Sequence, residues 1–124
     1  MRRIAAVATI VAAVALGACS GNDFEPVRVV PGGDASVGKA LIARLGCGSC
    51  HEIPGVKGAN GLVGPPLNKF GRRGFIAGRL ANTPENLIRW VTDPKGVDPE
   101  TDMPFLGISP DEARDIATYL EQLG

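Results

Sequence analysis

The chain contains Cys47-Gly48-Ser49-Cys50-His51, where two thiols and an imidazole lie together. The spacing Cys-x-x-Cys-His is the signature of covalent c-type haem attachment. Two thiols three residues apart can each add to one of two neighbouring vinyl groups on a porphyrin edge, and the imidazole that follows can then ligate the iron. The motif predicts one covalently bound haem c, attached through Cys47 and Cys50, with His51 as an axial ligand.

Two other kinds of site also use paired cysteines. Structural zinc needs four ligands, usually supplied by two Cys-x-x-Cys or His-x-x-x-His halves, and here carboxylates would have to complete the shell. A thioredoxin-like redox pair needs a preceding β-strand, whereas a helical pattern precedes Cys47. The sequence favours haem over both.

One methionine is available as the second axial ligand. The chain has one histidine and two methionines, so there is no second imidazole, and Met1 belongs to the leader described below. Met103 remains, in Asp102-Met103-Pro104. A lone methionine more often fills a core. Beside a haem motif, it predicts a His51–Met103 ligand pair, which raises the reduction potential of electron-transfer haems.

The first 33 residues carry signals for export and membrane attachment. Arg2 and Arg3 precede an apolar run at positions 4–16, which as a helix would rise only about 20 Å and is too short to span a bilayer. We interpret residues 1–18 as a signal peptide. Its end, Leu16-Gly17-Ala18-Cys19, resembles a bacterial lipobox and predicts a lipid on Cys19; the alternative is ordinary cleavage that leaves a free thiol. Residues 19–33, broken by glycine and proline, are expected to be a flexible tether of at most roughly 50 Å, in which Phe24, Val27, Val29 and Val30 could pack locally.

The remainder, 34–124, is predicted to be one haem domain. Without residues 1–18, which carry two arginines and no acids, the chain has 11 basic and 13 acidic residues. The charge balance therefore gives no reason to expect a nucleic-acid partner. The 17 glycines and 10 prolines imply long loops, so we expect the haem to supply part of the core.

Three helices can be predicted from capping residues and apolar spacing, and no strand alternation is visible. The first covers 34–46, with Asp34 or Ser36 as its cap and an apolar face of Val37, Leu41 and Leu45. The second begins after Thr83 and buries Leu87, Trp90 and Val91. The third begins at a capping box in Ser109-Pro110-Asp111-Glu112 and buries Ala113, Ile116, Ala117, Leu120 and Leu123. The predicted fold class is all-α, with three to five short helices around one haem.

Several residues that could lie around this site have more than one possible role. The carbonyl of Pro65 is a candidate acceptor for Nδ1–H of His51, since an axial ligand is oriented by an outer partner; otherwise Gly64-Pro65-Pro66 is only a rigid turn. Trp90 can fill the core or donate its indole N–H to a haem propionate. A nearby guanidinium is expected at the propionates, and the sequence alone does not choose among Arg72, Arg73 and Arg79.

The haem motif, Gly64-Pro65, the stretch Asn82-Thr83-Pro84-Glu85-Asn86-Leu87-Ile88-Arg89-Trp90 and Met103-Pro104 together resemble class I cytochrome c. They are most similar to the cytochrome c domain fused to subunit II of caa3-type cytochrome oxidases. The resemblance covers roughly 34–123. It implies that Cys47 and Cys50 carry the thioethers, that His51 and Met103 ligate iron, and that Arg72 and Trp90 lie by the propionates. In the fused family a copper-binding domain precedes the haem region, whereas here Cys19 and its lipid are expected in that place.

The resemblance implies an electron-transfer protein and not an enzyme. We expect a carrier of single electrons in a respiratory chain, lipid-anchored on the extracytoplasmic or periplasmic face of a bacterial envelope, with a membrane oxidase or reductase as partner. One alternative is a five-coordinate haem sensor or peroxidase-like protein, which would leave Met103 unbound. Another is the haem subunit of a periplasmic dehydrogenase, which would keep the same ligands.

Overall fold

A computed structural model of the chain describes residues 27–124. The expected signal peptide, 1–18, and the expected lipidation site, Cys19, lie outside the described residues. In chain order the elements are helix α1 (Ala35–Arg44), a 3₁₀ turn (Cys47–Ser49), a second 3₁₀ turn (Phe70–Arg72), strands β1 (Phe75–Ile76) and β2 (Leu80–Ala81), and helices α2 (Pro84–Thr92), α3 (Pro94–Val97) and α4 (Pro110–Glu121). The predicted mostly helical fold is confirmed. None of the helices within 27–124 has the length and apolarity that crossing a membrane would require.

Helix α1 begins at its predicted cap, and the face that it buries differs from the predicted one at Val37. The Asp34 carboxylate accepts hydrogen bonds from the N–H groups of Ser36 and Val37. Of the predicted face, Leu41 is buried and Leu45 packs against the core, whereas Val37 is 44% exposed, so its inclusion is wrong. The buried residues are Gly38, Leu41 and Ile42. This face is buried because α4 crosses α1 at Gly38.

The α1–α4 crossing depends on the missing side chain of Gly38. A Cβ atom built there would lie 2.0 Å from the carbonyl oxygen of Asp115 in α4. The helices therefore approach more closely than any larger residue would allow. Helix α4 is fixed by the predicted capping box, in which the Ser109 hydroxyl accepts from Glu112 N–H and the Glu112 carboxylate accepts from Ser109 N–H. The crossing fixes the position of α1 in the domain, and α1 leads directly into residues 47–51.

A two-stranded hairpin was not predicted. Strands β1 and β2 pair antiparallel, with Phe75 opposite Ala81 and Ile76 opposite Leu80. Each strand has two residues, too few for an alternating pattern to be visible. After the hairpin, the buried Asn82 donates its side-chain amide to the carbonyls of Phe70 (3.2 Å) and Arg73 (3.1 Å). The hairpin and Asn82 thus hold the loop before α2 against the core.

The last part of the expected tether is packed rather than free. Arg28 Nη1 donates to the carbonyl of Gly71 at 2.5 Å and lies 3.4 Å from Oε2 of Glu121, whose side chain is fully buried. Val30 is buried in the core. We call Arg28, Gly71 and Glu121 the N-terminal clasp. The glycines and prolines of this segment rule out a helix, but Arg28 and Val30 still find partners, so the packed unit begins before Asp34.

Candidate haem site

The Cys-x-x-Cys-His segment follows directly from the end of α1. Gly46 adopts a left-handed conformation with φ of 75°, which ends the helix, and the chain then enters the 3₁₀ turn Cys47–Ser49. The N–H of His51 donates to the carbonyl of Cys47 at 3.0 Å. Both cysteines are partly buried and neither forms a disulfide. Burial raises the pKa of the Cys47 thiol above its ordinary value.

A glycine-rich loop, 58–64, lies against this segment. Gly61 N–H donates to the carbonyl of Gly48 at 3.0 Å, and Gly64 N–H donates to that of Cys50 at 2.7 Å. A Cβ atom on Gly61 would lie 2.4 Å from the Ser49 carbonyl oxygen, so the two backbones are in direct contact. The loop therefore fixes the conformation of the attachment segment without any side chain between them.

The imidazole of His51 is held on two sides. Its Nδ1–H donates to the carbonyl oxygen of Pro65 at 2.7 Å, and since a carbonyl can only accept, this bond places the proton on Nδ1. The unprotonated Nε2 is then the nitrogen available to a metal. Gly64 lies against the ring, and a Cβ atom there would lie 2.4 Å from Cε1 of His51. Pro65 and Gly64 together set the orientation of the ring.

His51 and Met103 line one apolar cavity. Cys47 and Trp90 also line it, and aliphatic and aromatic side chains complete its wall: Ile42, Ile53, Leu67, Phe70, Val91, Leu106, Ile108, Ile116 and Leu120. Met103 is partly buried, and its N–H donates to Oγ1 of Thr101 at 3.2 Å. Apolar walls suit the faces of a porphyrin, and an imidazole nitrogen with a thioether sulfur is a haem ligand set. The residues present fit a haem.

Of the residues expected near the propionates, the structure places Trp90 at the cavity and Arg72 outside its wall. Trp90 is buried and lines the cavity, and its indole N–H has no partner among the described residues. Arg72 is exposed and does not line the cavity. Arg73 donates to the carbonyls of Pro66 and Asn68 and lies over the ring of Phe70.

Arg79 forms an ion pair with Asp98 at 3.1 Å. Arg73 donates to backbone carbonyls and Arg79 pairs with a carboxylate, so among these three arginines Arg72 is the one whose guanidinium has no hydrogen-bond or ion-pair partner in the described part of the chain. The propionate roles of Arg72 and Trp90 stay predictions.

Sequence reasoning missed the contribution of two residues. Gly64 was read only as part of a turn, although its lack of a side chain is what admits the His51 ring. Asn82 is named above only as the first residue of the stretch 82–90, and its hydrogen bonds to the carbonyls of Phe70 and Arg73 were not predicted. For Gly64, the available signal was its position directly before Pro65, the candidate acceptor for His51. The role of Asn82 depends on contacts between distant parts of the chain.

The model of the cytochrome c family matches residues 35–124. The chain is 32% identical over 90 residues to cytochrome c oxidase subunit 2 of Alkalihalophilus pseudofirmus, covering 72% of this chain and 25% of the relative. It is 36% identical over 103 residues to a cytochrome c homolog of Bradyrhizobium diazoefficiens, covering 72% of this chain and 55% of the relative. The chain thus spans a quarter of the first of these relatives and about half of the second.

Among solved structures, cytochrome cH from Methylobacterium extorquens resembles the chain with a TM-score of 0.53 and 30% identity, covering 72% of this chain and 98% of that one. The predicted class I cytochrome c fold and covalent haem c are confirmed by these matches, and Cys47 and Cys50 fit the attachment of that haem. The chain belongs to the cytochrome c family of electron-transfer proteins.

Proposed function

We propose that the protein is a membrane-tethered carrier of single electrons in a respiratory chain, in which His51 and Met103 would hold the haem iron. The observation that supports this most directly is the apolar cavity lined by both residues. When bound, the haem supplies a centre that alternates between ferric and ferrous iron. His51 presents Nε2 because Pro65 takes the Nδ1 proton, and Met103 presents its thioether. The surrounding apolar side chains exclude water, so electrons pass without a substrate entering the site.

Replacing Met103 tests the ligand assignment. Wild-type ferric protein is expected to show a low-spin spectrum with a thioether–iron charge-transfer band, and Met103→Ala is expected to lose that band and to bind carbon monoxide when reduced. The comparison with Leu106→Ala, also in the cavity wall, controls for a loss of apolar packing. A high-spin ferric spectrum in the wild type, or ready binding of carbon monoxide by it, would instead favour a five-coordinate sensor or peroxidase-like protein.

The proposed position in the cell has support from the sequence and from one relative. Residues 1–18 form the proposed signal peptide, Cys19 the proposed lipid attachment site, and the bacterial cell envelope the proposed location. The proposed partner is a terminal oxidase, because one relative is an oxidase subunit that contains a region similar to this chain.

Mass spectrometry of the protein extracted from membranes of its source tests the anchor. Acylation of an N-terminal Cys19 and a shift of Cys19→Ser into the soluble fraction are expected. A Cys19→Ser protein that stays in the membrane would contradict the anchor. Purification in mild detergent tests the partner: a stoichiometric dehydrogenase subunit in the preparation would contradict a freely tethered carrier.

A further inference from the structure

The loop that carries Met103 contains neither a helix nor a strand, from the end of α3 at Val97 to the start of α4 at Pro110. An axial ligand on such a loop can leave the iron when the loop opens locally, while the rest of the domain stays folded. Met103 lines the apolar cavity, but apolar contacts have no preferred direction and do not fix the backbone. The hydrogen bonds of this loop therefore determine how firmly Met103 is held.

Thr101 is the residue that holds the backbone of Met103. Its Oγ1 accepts a hydrogen bond from the N–H of Met103 at 3.2 Å. The carbonyl of Thr101 accepts from Nζ of Lys95 in α3 at 2.5 Å, and its N–H donates to the carbonyl of Asp98 at 3.1 Å. Thr101 thus connects Met103 to α3 and to Asp98.

The carboxylate of Asp98 connects this loop to the β1–β2 hairpin. Its Oδ1 accepts from the N–H of Glu100 at 3.2 Å, and its Oδ2 accepts from Nε of Arg79 at 3.1 Å. The side chain of Asp98 is only 16% exposed, whereas that of Arg79 is 55% exposed. The carboxylate is therefore better shielded from solvent and salt than that of a surface ion pair.

The position of Arg79 is set by the hairpin turn. Arg79 lies between β1 and β2, and its N–H donates to the carbonyl of Ile76 at 2.9 Å. The turn contains Ala77 in the left-handed region, with φ of 49°, a conformation that costs energy and persists only where the surrounding structure holds it. Neither strand lines the haem cavity, so the packing of the cavity does not explain the hairpin.

We propose that Arg79, Asp98 and Thr101 are positioning residues for Met103, in which a chain of hydrogen bonds from the hairpin keeps the thioether on the iron. We call these three residues the Met103 brace. The inference rests on the proposed ligation by Met103 and adds the residues that maintain it. None of the three lines the cavity, so they act through the loop and not on the cofactor. The brace lowers the fraction of molecules in which the loop is open, and so keeps outside ligands from the iron.

Binding of carbon monoxide to the reduced, haem-loaded protein tests the brace, because this ligand can occupy the iron only after the Met103 sulfur has left. The rate of binding rises with the fraction of molecules in which the loop is open. Thr101→Val keeps the size of the side chain and removes the acceptor, so it should bind carbon monoxide about threefold to tenfold faster than the wild type. Thr101→Ser keeps the hydroxyl and should bind within about twofold of the wild-type rate.

Two further variants test the link to the hairpin. Asp98→Ala breaks both bonds of the carboxylate and should raise the rate by about tenfold, whereas Arg79→Gln removes only the charged partner and should raise it by about threefold. Arg44→Gln is the matched control, because it breaks the ion pair between Arg44 in α1 and Glu112 in α4, which has the same nitrogen–oxygen distance of 3.1 Å. Its rate should stay within about twofold of the wild type.

The thioether–iron band of the ferric protein gives a second measurement. Its amplitude should fall in Thr101→Val and Asp98→Ala and should stay at the wild-type value in Thr101→Ser and Arg44→Gln. Chemical denaturation of each variant measures the free energy of unfolding separately. A merely structural role would make the band and the carbon monoxide rate follow that free energy, whatever the position of the substitution.

Wild-type rates and wild-type bands in both Thr101→Val and Asp98→Ala would overturn the proposal. An equal acceleration by Arg44→Gln would also overturn it, since carbon monoxide would then report only general stability. If Met103→Ala has the ferric spectrum of the wild type, Met103 is not the ligand, and the proposed function fails together with this inference. If Met103→Ala loses the band but the brace variants behave like the wild type, only the brace fails.

Discussion

At the residue scale, the orientation of the His51 ring depends on Gly64, because a Cβ atom at that position would meet the ring. Gly64 leaves room for the imidazole, while the carbonyl of Pro65 fixes which nitrogen carries the proton. Neither residue ligates a metal. Both nevertheless determine whether Nε2 faces the cavity, because a ligand ring is oriented by its surroundings as much as by its own backbone.

Gly64→Ala should therefore disturb the site more than the small size of the added methyl group suggests. The added methyl group would lie 2.4 Å from the ring, so the ring or the loop must move. We expect a loss of about 1–3 kcal/mol in the free energy of unfolding and a weakened low-spin ferric spectrum. Thermal unfolding and absorption spectroscopy measure the two effects. Gly74→Ala is the control, because a Cβ atom at Gly74 meets nothing within 4 Å; equal effects of both substitutions would refute the role of Gly64.

At the element scale, the helix ends follow from local chemistry and the helix crossing does not. Thr83 and Ser109 cap their helices as their sequence signals predict, each with proline at the first helical position. Those signals act within one turn and can be read from sequence. In α1, the burial of Gly38 and Ile42 in place of Val37 could not be predicted, because it is set by where α4 approaches Gly38.

The same distinction holds for the site. Cys47, Cys50 and His51 are adjacent in sequence and their haem chemistry could be predicted from spacing. The hairpin, the clamp formed by Asn82 and the packing of Gly64 require residues that are distant in sequence or strands too short to have a period. Such features form only when the whole fold brings the segments together.

Gly38→Ala tests the crossing of α1 and α4. Alanine favours a helix by about 1 kcal/mol over glycine, but here its methyl group would lie 2.0 Å from the Asp115 carbonyl oxygen. We expect a net loss of about 2–3 kcal/mol in unfolding free energy, measured by chemical denaturation of the haem-loaded protein. Val37→Ala, on the exposed side of α1, should change it by less than about 0.5 kcal/mol. A neutral or stabilising Gly38→Ala would show that the helices do not meet there.

At the scale of the whole molecule, the N-terminal clasp joins the start of the domain to its last helix. Burial raises the pKa of Glu121 above its ordinary value of 4.5, and Arg28 only partly opposes this. For an acid whose pKa is raised on folding, the favourable contribution is present below the unfolded pKa and is lost as the pH rises through the folded pKa. At neutral pH the buried carboxylate therefore depends on Arg28.

Arg28→Ala is expected to cost about 1–3 kcal/mol in unfolding free energy at pH 7 and less near pH 4, where Glu121 is protonated. Arg28→Ala combined with Glu121→Gln should recover part of the loss at pH 7. Chemical denaturation at both pH values measures this. Arg44→Ala, which breaks the more exposed pair with Glu112, is the control and should cost below about 1 kcal/mol. A loss that is equal at both pH values would exclude a role for the Glu121 charge.

The N-terminal clasp also sets how far the haem domain can stray. If Cys19 carries a lipid, the distance between the lipid and Arg28 is limited by the residues between them to at most about 30 Å when fully extended. A tether that ended at Gly33 would allow a distance of roughly 50 Å. The shorter tether leaves the domain at the last turn of α4, where Arg28 pairs with Glu121, whereas Arg44 pairs with Glu112 in the first turn. A domain held this close to the lipid surface would meet partners in the same membrane more often than one on the longer tether.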